Sequence, residues 1–130
     1  MAGRQIFNPD GFCNVTEDGK TVGFSFAFKA QYYRGFTLSI LRDIAVTVDD
    51  ETFNREDIRL TVNGETFTLE ECRTVIDPDY RWEFGDFATV TVLKEGGLPA
   101  GSHHIHAHQS IAPSYMPFTI EADCDADFII

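Results

Sequence analysis

The sequence predicts an all-β fold, an antiparallel β-sandwich of about eight strands, jelly-roll-like or similar, formed as one domain over residues 1–130. Three observations predict it. Apolar residues recur at every second position in run after run, most clearly at Val22, Phe24, Phe26, Phe28 and Ala30, which is the period of a strand with one buried face. No stretch keeps a 3.6-residue apolar period over a helical length. The alternating runs are short, spaced roughly 8–14 residues apart and punctuated by Gly, Pro, Asn and Asp, as in a sandwich or barrel.

Taken in order, residues 5–19 form an irregular lead-in, with turn chemistry at Asn8-Pro9-Asp10-Gly11 and Glu17-Asp18-Gly19 and a short strand from Phe12 to Val15 between them. The clearest strand runs from Lys20 to Gln31 and anchors the predicted core, since burying each Phe is worth roughly 2 kcal/mol before chain entropy is charged. Tyr32-Tyr33-Arg34-Gly35 breaks the pattern, and a strand is expected from Phe36 to Leu41. Ile44, Val46 and Val48 mark the next, which ends in Asp49-Asp50-Glu51. Ile58, Leu60 and Val62 lead through Asn63-Gly64 into Glu65–Leu69, the strongest hairpin signal in the chain. Thr68 with Glu71 makes a capping box for a brief helical turn through Cys72. Ala88 to Lys94 and Ser102 to Ile111, joined by Gly96-Gly97-Leu98-Pro99-Ala100-Gly101, read as a second hairpin. Its second arm puts His104, His106 and His108 on one face and His103, Ile105 and Ala107 on the other. Phe118 to Ala122 is the last strand. The predicted core comprises Phe24, Phe26, Phe28, Val46, Leu60, Val90 and Val92.

A chain of 130 residues buries roughly two-thirds of its unfolded surface, enough for a core without disulfides. A formal net charge of −11 and a pI near 4.5 disfavour nucleic acid and anionic membranes as partners. The start shows no signal-peptide pattern, and no apolar run approaches the ~20 residues of a membrane helix, so a cytoplasmic location is expected. Cys13, Cys72 and Cys124 are odd in number and widely spaced, which predicts reduced thiols rather than a disulfide framework or zinc knot.

Candidate chemistry is sparse. His104, His106 and His108 are the metal candidates, but side chains two apart on a strand sit about 6.6–6.8 Å apart at Cα, so two converge on one ion and a third rarely does. No distant His completes such a site. The expectation is a polar strand face, wet or against a partner, with no metal on this chain. Glu121, Asp123, Asp125 and Asp127 lack the glycine and distal Glu of a calcium loop and read as an acidic outer face. No catalytic residue is assigned, because no nucleophile motif or phosphate loop is present. Tyr32, Tyr33, Arg34, Arg81, Trp82, Tyr115 and Met116 lie at strand ends beside Gly or Pro. They are the residue types that carry interface energy, and a rim that docks a partner is expected there.

Four stretches carry a resemblance: Asn8-Pro9-Asp10-Gly11-Phe12, Tyr32-Tyr33-Arg34-Gly35 leading into Leu38-Ser39, Arg81-Trp82-Glu83-Phe84-Gly85, and Ser114-Tyr115-Met116-Pro117. In this order and spacing the chain resembles the small β subunits of bacterial C-glycoside deglycosidases over nearly its whole length. The resemblance implies a lyase-type, two-subunit enzyme whose TIM-barrel α subunit carries a divalent, manganese-like metal and the acid/base residues. It implies a 3-oxo-C-glycoside of a plant polyphenol, such as a flavonoid, as substrate. This chain would be the non-catalytic partner, inactive in isolation, with the aromatic rim near the mouth of the active site. The His104/His106/His108 face is not a feature associated with that family. Two readings of other classes compete: a free-standing carbohydrate-binding sandwich, against which the missing export signal weighs, and a small His-metal enzyme.

Overall fold

Alternation decides the architecture. The computed structural model describes residues 6–8, 11–30, 35–76, 78–83, 85–112 and 117–130. Among these, eight strands of four residues or more form: β1 (Cys13–Glu17), β2 (Lys20–Lys29), β4 (Leu41–Val48), β6 (Ile58–Val62), β7 (Glu65–Thr68), β9 (Phe87–Leu93), β10 (Ser102–Ile111) and β11 (Ile120–Ile129). Three two-residue strands, β3 (Phe36–Thr37), β5 (Glu51–Thr52) and β8 (Arg81–Trp82), complete the set. A five-stranded sheet runs β1-β2-β9-β6-β7, a four-stranded sheet β11-β10-β4-β5, and β3 pairs with β8. All these pairings are antiparallel.

The two large sheets share one core. Phe24, Phe26 and Phe28 of β2, Val90 and Val92 of β9, and Ile58 and Leu60 of β6 come from one sheet. Ile44, Val46 and Val48 of β4 and Ile105, Ala107 and Ile111 of β10 come from the other. All seven predicted core residues are buried. The Asn63-Gly64 turn has φ of +51° and +83° at its two centres, the twist that a two-residue hairpin requires. Helix α1 (Leu69–Cys72) opens on the expected capping box: Glu71 N–H donates to Thr68 Oγ1 at 3.0 Å, and Thr68 N–H donates to the Glu71 carboxylate at 2.8 Å.

Three expectations about local structure are corrected. β9 and β10 are not a hairpin. Phe26 and Leu60 both pair across from Val90, so β9 is flanked on both edges within its own sheet. β10 is likewise enclosed by β4 and β11 in the other sheet. The chain between them crosses over instead, pinned where Asn14 Nδ2 donates to Leu98 O at 3.0 Å and Leu98 N–H donates back to Asn14 Oδ1 at 2.9 Å. Residues 36–41 are not one strand either, because Phe36 pairs with Trp82 while Leu41 pairs with Ile111. A single 3-10 turn, Leu38–Ile40, carries the chain between those partners and buries Leu38. The last strand runs on to Ile129, since it pairs with β10 along its whole length.

Phe26 is fully buried, with rings of Phe7 and Phe28 at 5.8 and 5.3 Å. Phe26→Ala is expected to cost about 3–5 kcal/mol of folding stability by cavity formation. Urea denaturation with an unchanged slope checks it, and a loss below about 1 kcal/mol would place Phe26 outside the core.

Candidate functional site

Two surfaces carry the predicted site residues, and the structure treats them differently. At the rim, β8 points its two side chains to opposite sides. Arg81 is half-buried and pairs through Nε with Glu83 Oε2 at 3.1 Å. Glu83 lies so close to Gly35 that a side chain there would collide with its carboxylate. Trp82 does not project from a rim. It is 1% exposed, its ring lies against Phe28 and Phe36 at 5.6 and 5.8 Å, and Nε1–H donates to Asp86 O at 3.0 Å. An indole with its N–H satisfied packs as well inside as at an interface, and the rings of Phe28 and Phe36 against it decide for the interior. A cleft of about 270 Å³ lies over this point, lined by Asn63, Asp79, Arg81, Glu83 and Phe87 among others. Tyr32, Tyr33, Arg34, Tyr115 and Met116 lie outside the described residues.

The histidine face and the acidic face, read separately in the sequence, are one structure. The register sets His104 opposite Asp127, His106 opposite Asp125, and His108 opposite Asp123. Each ring bonds its opposite carboxylate through Nδ1, at 2.8, 2.8 and 2.7 Å. Each also reaches the next acid along through Nε2: Asp125 at 3.1 Å, Asp123 at 3.1 Å and Glu121 at 2.6 Å. Glu121 ends the chain and also accepts from Ser110 and Thr119. The signal was in the sequence, as two alternating runs of opposite type on consecutive strands. It was obscured by pairing β10 with β9 and ending the last strand at Ala122.

A carboxylate only accepts, so a ring with both nitrogens on carboxylates must donate from both and is an imidazolium. Accordingly His104, His106 and His108 are held above their ordinary value of 6.5, chiefly by Asp127, Asp125 and Glu121 respectively. Asp123 and Asp125 are held down chiefly by His108 and His106. Glu121 falls to about 2, first through Thr119 and then through His108 and Ser110.

The fourth histidine sits on the buried side of β10. His103 is 8% exposed, with Nδ1 on Asp49 Oδ2 at 2.5 Å and Nε2 on Pro99 O at 2.6 Å. It too must donate twice, and Asp49, then Pro99, raise it. Among the described residues, no three His, Cys, Asp or Glu side chains are placed to hold one metal ion. The three cysteines are free, and burial pushes the Cys72 and Cys124 thiols up to about 12, which keeps them un-ionised. No helix among the described residues is long and apolar enough to cross a membrane.

Fold and site together define an antiparallel sandwich of two sheets whose histidines are all engaged by its own acceptors. The chain belongs to the C-glycoside deglycosidase beta subunit family, whose model matches residues 2–115. A C-glycoside deglycosidase beta subunit from Eubacterium cellulosolvens is 34% identical over 125 residues, covering 95% of this chain and 84% of the relative.

The pairing of buried His103 with exposed Asp49 has a stability consequence with a definite sign. A histidine raised on folding contributes stability that is complete below 6.5 and is lost as pH rises through its folded value. Asp49 sits at φ +49°, a conformation Asn also tolerates, so Asp49→Asn removes the charge without backbone strain. The variant is expected to titrate His103 nearer 6.5 and to melt lower than the parent at pH 6, with the gap narrowing as pH rises. NMR titration of the His103 ring with thermal melts checks both.

Proposed function

We propose that this chain is the small subunit of a heteromeric C-glycoside deglycosidase, acting with a larger TIM-barrel subunit on 3-oxo-C-glycosides of plant polyphenols such as flavonoids. The observation that carries this reading is the family match across residues 2–115, together with a named relative aligned over nearly the whole chain. The reaction is of the lyase type. The 3-oxo group acidifies the C2 proton, which a base removes to give an enolate. The C2 electron pair then forms the C1–C2 double bond as the bond from C1 to the aryl carbon breaks, and that carbon takes up a proton. A divalent, manganese-like ion that holds the enolate oxygen, and a tuned acid/base pair, would supply this chemistry from the larger subunit. The location is cytoplasmic.

Supporting a non-catalytic role here, His103, His104, His106 and His108 each have both ring nitrogens on an acceptor of this chain. A general base needs a free lone pair. The docking surface in this reading is the rim bearing Tyr32, Tyr33, Arg34, Arg81, Tyr115 and Met116.

Co-production with the larger subunit tests the reading. The isolated chain is expected to bind no stoichiometric manganese, zinc or iron and to show no turnover, while the pair co-purifies and cleaves a 3-oxo-C-glycoside. Arg34→Ala, Arg81→Ala and Tyr115→Ala should each weaken assembly or turnover several-fold while leaving the sandwich folded, as interface anchors do. Trp82→Ala should instead lower stability, by about 3–5 kcal/mol. Normal assembly and turnover in all three rim variants would place the interface elsewhere.

A further inference from the structure

β11 is an edge strand, and among the described residues β10 is the strand that pairs with it. Its inward residues give it little apolar hold. Ala122, Cys124 and Ala126 are only half-buried, and Phe128, against Phe12 at 4.1 Å, is its buried anchor. Besides the backbone ladder and a weak bond from Cys124 Sγ to Ala107 O at 3.7 Å, its middle is tied to β10 by the outer row Asp127–His104–Asp125–His106–Asp123–His108–Glu121. Cross-strand pairs are the unit by which a sheet is stabilised, and here they form an unbroken series of alternating sign.

We propose that the β10–β11 seam is a protonation-locked clasp, closed while His104, His106 and His108 are imidazolium and loosened along Asp123–Asp127 when they lose the second proton. Once the rings are neutral, one nitrogen of each presents a lone pair to a carboxylate oxygen, which cannot donate to it. The row then changes from three positive charges among four negative ones to four negative charges alone. Those four lie two apart along one strand, about 6.6–6.8 Å from each to the next, where like charges repel.

Among the described residues, none of the lysine or arginine ion pairs brings another positive charge to the row. Across β10 from the row, β4 offers Ala45 beside His108 and Thr47 beside His106, with Thr52 of β5 beyond. Asp43, opposite Ser110, is taken by Arg55 Nε at 3.2 Å. Asp49 accepts from His104 N–H and holds the ring of His103. Among the described residues no lysine or arginine is ion-paired with a carboxylate of the row.

The direction in pH follows from both partners. The histidines are raised from 6.5, so their contribution is complete below 6.5 and is lost as pH rises through the raised values. The carboxylates are lowered from 3.8 and 4.5, so theirs is present above those values and is lost as pH falls through the lowered ones. The clasp is therefore tightest between 4.5 and 6.5. The same strand pair ends at Ile111–Ile120.

Amide hydrogen exchange on the full-length chain tests the clasp, with rates corrected for their intrinsic pH dependence so that only opening is read. Protection of the β11 amides paired to β10 is expected to fall about tenfold between pH 6 and pH 9, while that of β9 amides stays level. His104→Gln/His106→Gln/His108→Gln should show the low β11 protection already at pH 6, with no further fall. Should that variant not fold, His106→Gln alone is expected to flatten part of the pH dependence, and NMR titration of His106 in the parent should place it above 6.5. β11 protection that is level with pH in the parent, or an equal pH-dependent fall in the Gln variants, overturns the proposal. So does a His106 that titrates at or below 6.5.

Discussion

The phenylalanine column of β2 is the constraint on which the remainder of the structure depends. Phe24, Phe26 and Phe28 are each at most 1% exposed, and between them they tie the lead-in, Trp82 and Phe53 to the core. Phe26 meets Phe7 and Phe12 of the lead-in, Phe28 meets Phe7 and Trp82, and Phe24 meets Phe53 beside β5. Each tilted or edge-on ring pair adds about 0.5–1.5 kcal/mol beyond the area it buries. Because Phe28 and Phe36 need a large flat neighbour, Trp82 is drawn inward. That in turn leaves Arg81, its neighbour on a two-residue strand, to face the outer side of the rim.

A core filled by rings leaves little room for polar groups, and the three buried on β10, His103, Gln109 and Ser110, are each secured by an acceptor on another segment. Gln109 is fully buried and its Nε2 donates to Lys29 O at 2.9 Å, at the end of the phenylalanine strand. It is therefore a polar tie between the two large sheets. His103 is tied to Asp49 and Pro99 O and stacks near Phe128 at 5.4 Å. Buried polar groups keep their place only when paired, and the Gln109–Lys29 and His103–Asp49 pairings run between segments far apart in sequence. They reinforce the same crossover that Asn14 pins at Leu98.

Much of this was legible in the sequence, and the part that was not has a common cause. Period-2 alternation at Phe24/Phe26/Phe28 and Val90/Val92 identified strands and their buried faces, because burial of a side chain is a local consequence of pleat. Asn63-Gly64 and the Thr68/Glu71 box were legible for the same reason, since their physics is confined to a few neighbouring residues. Which strand lies beside which is not local. Ala88–Lys94 and Ser102–Ile111 have the alternation of hairpin arms, yet β9 and β10 lie in different sheets because each finds two better-matched neighbours. Trp82 was misplaced likewise: Arg and Pro/Gly neighbours suggest a surface, and only the assembled rings of Phe28 and Phe36 show an interior site for it.

The histidine row shows how one error of pairing hides chemistry. With β10 assigned to β9, the three imidazoles read only as a polar strand face, wet or against a partner. With β10 against β11, the same imidazoles meet a carboxylate at every step, and the acidic strand that looked like bare edge protection becomes their counter-charge. The row then accounts for two compositional oddities at once, the clustering of all four histidines within six residues and the alternating acids near the C-terminus. It also explains why an edge strand with an Ala-Cys-Ala inner face holds its place. As the rings stand, none has a lone pair free to take a substrate proton, which fits a chain whose proposed contribution is the surface it presents to a larger catalytic subunit.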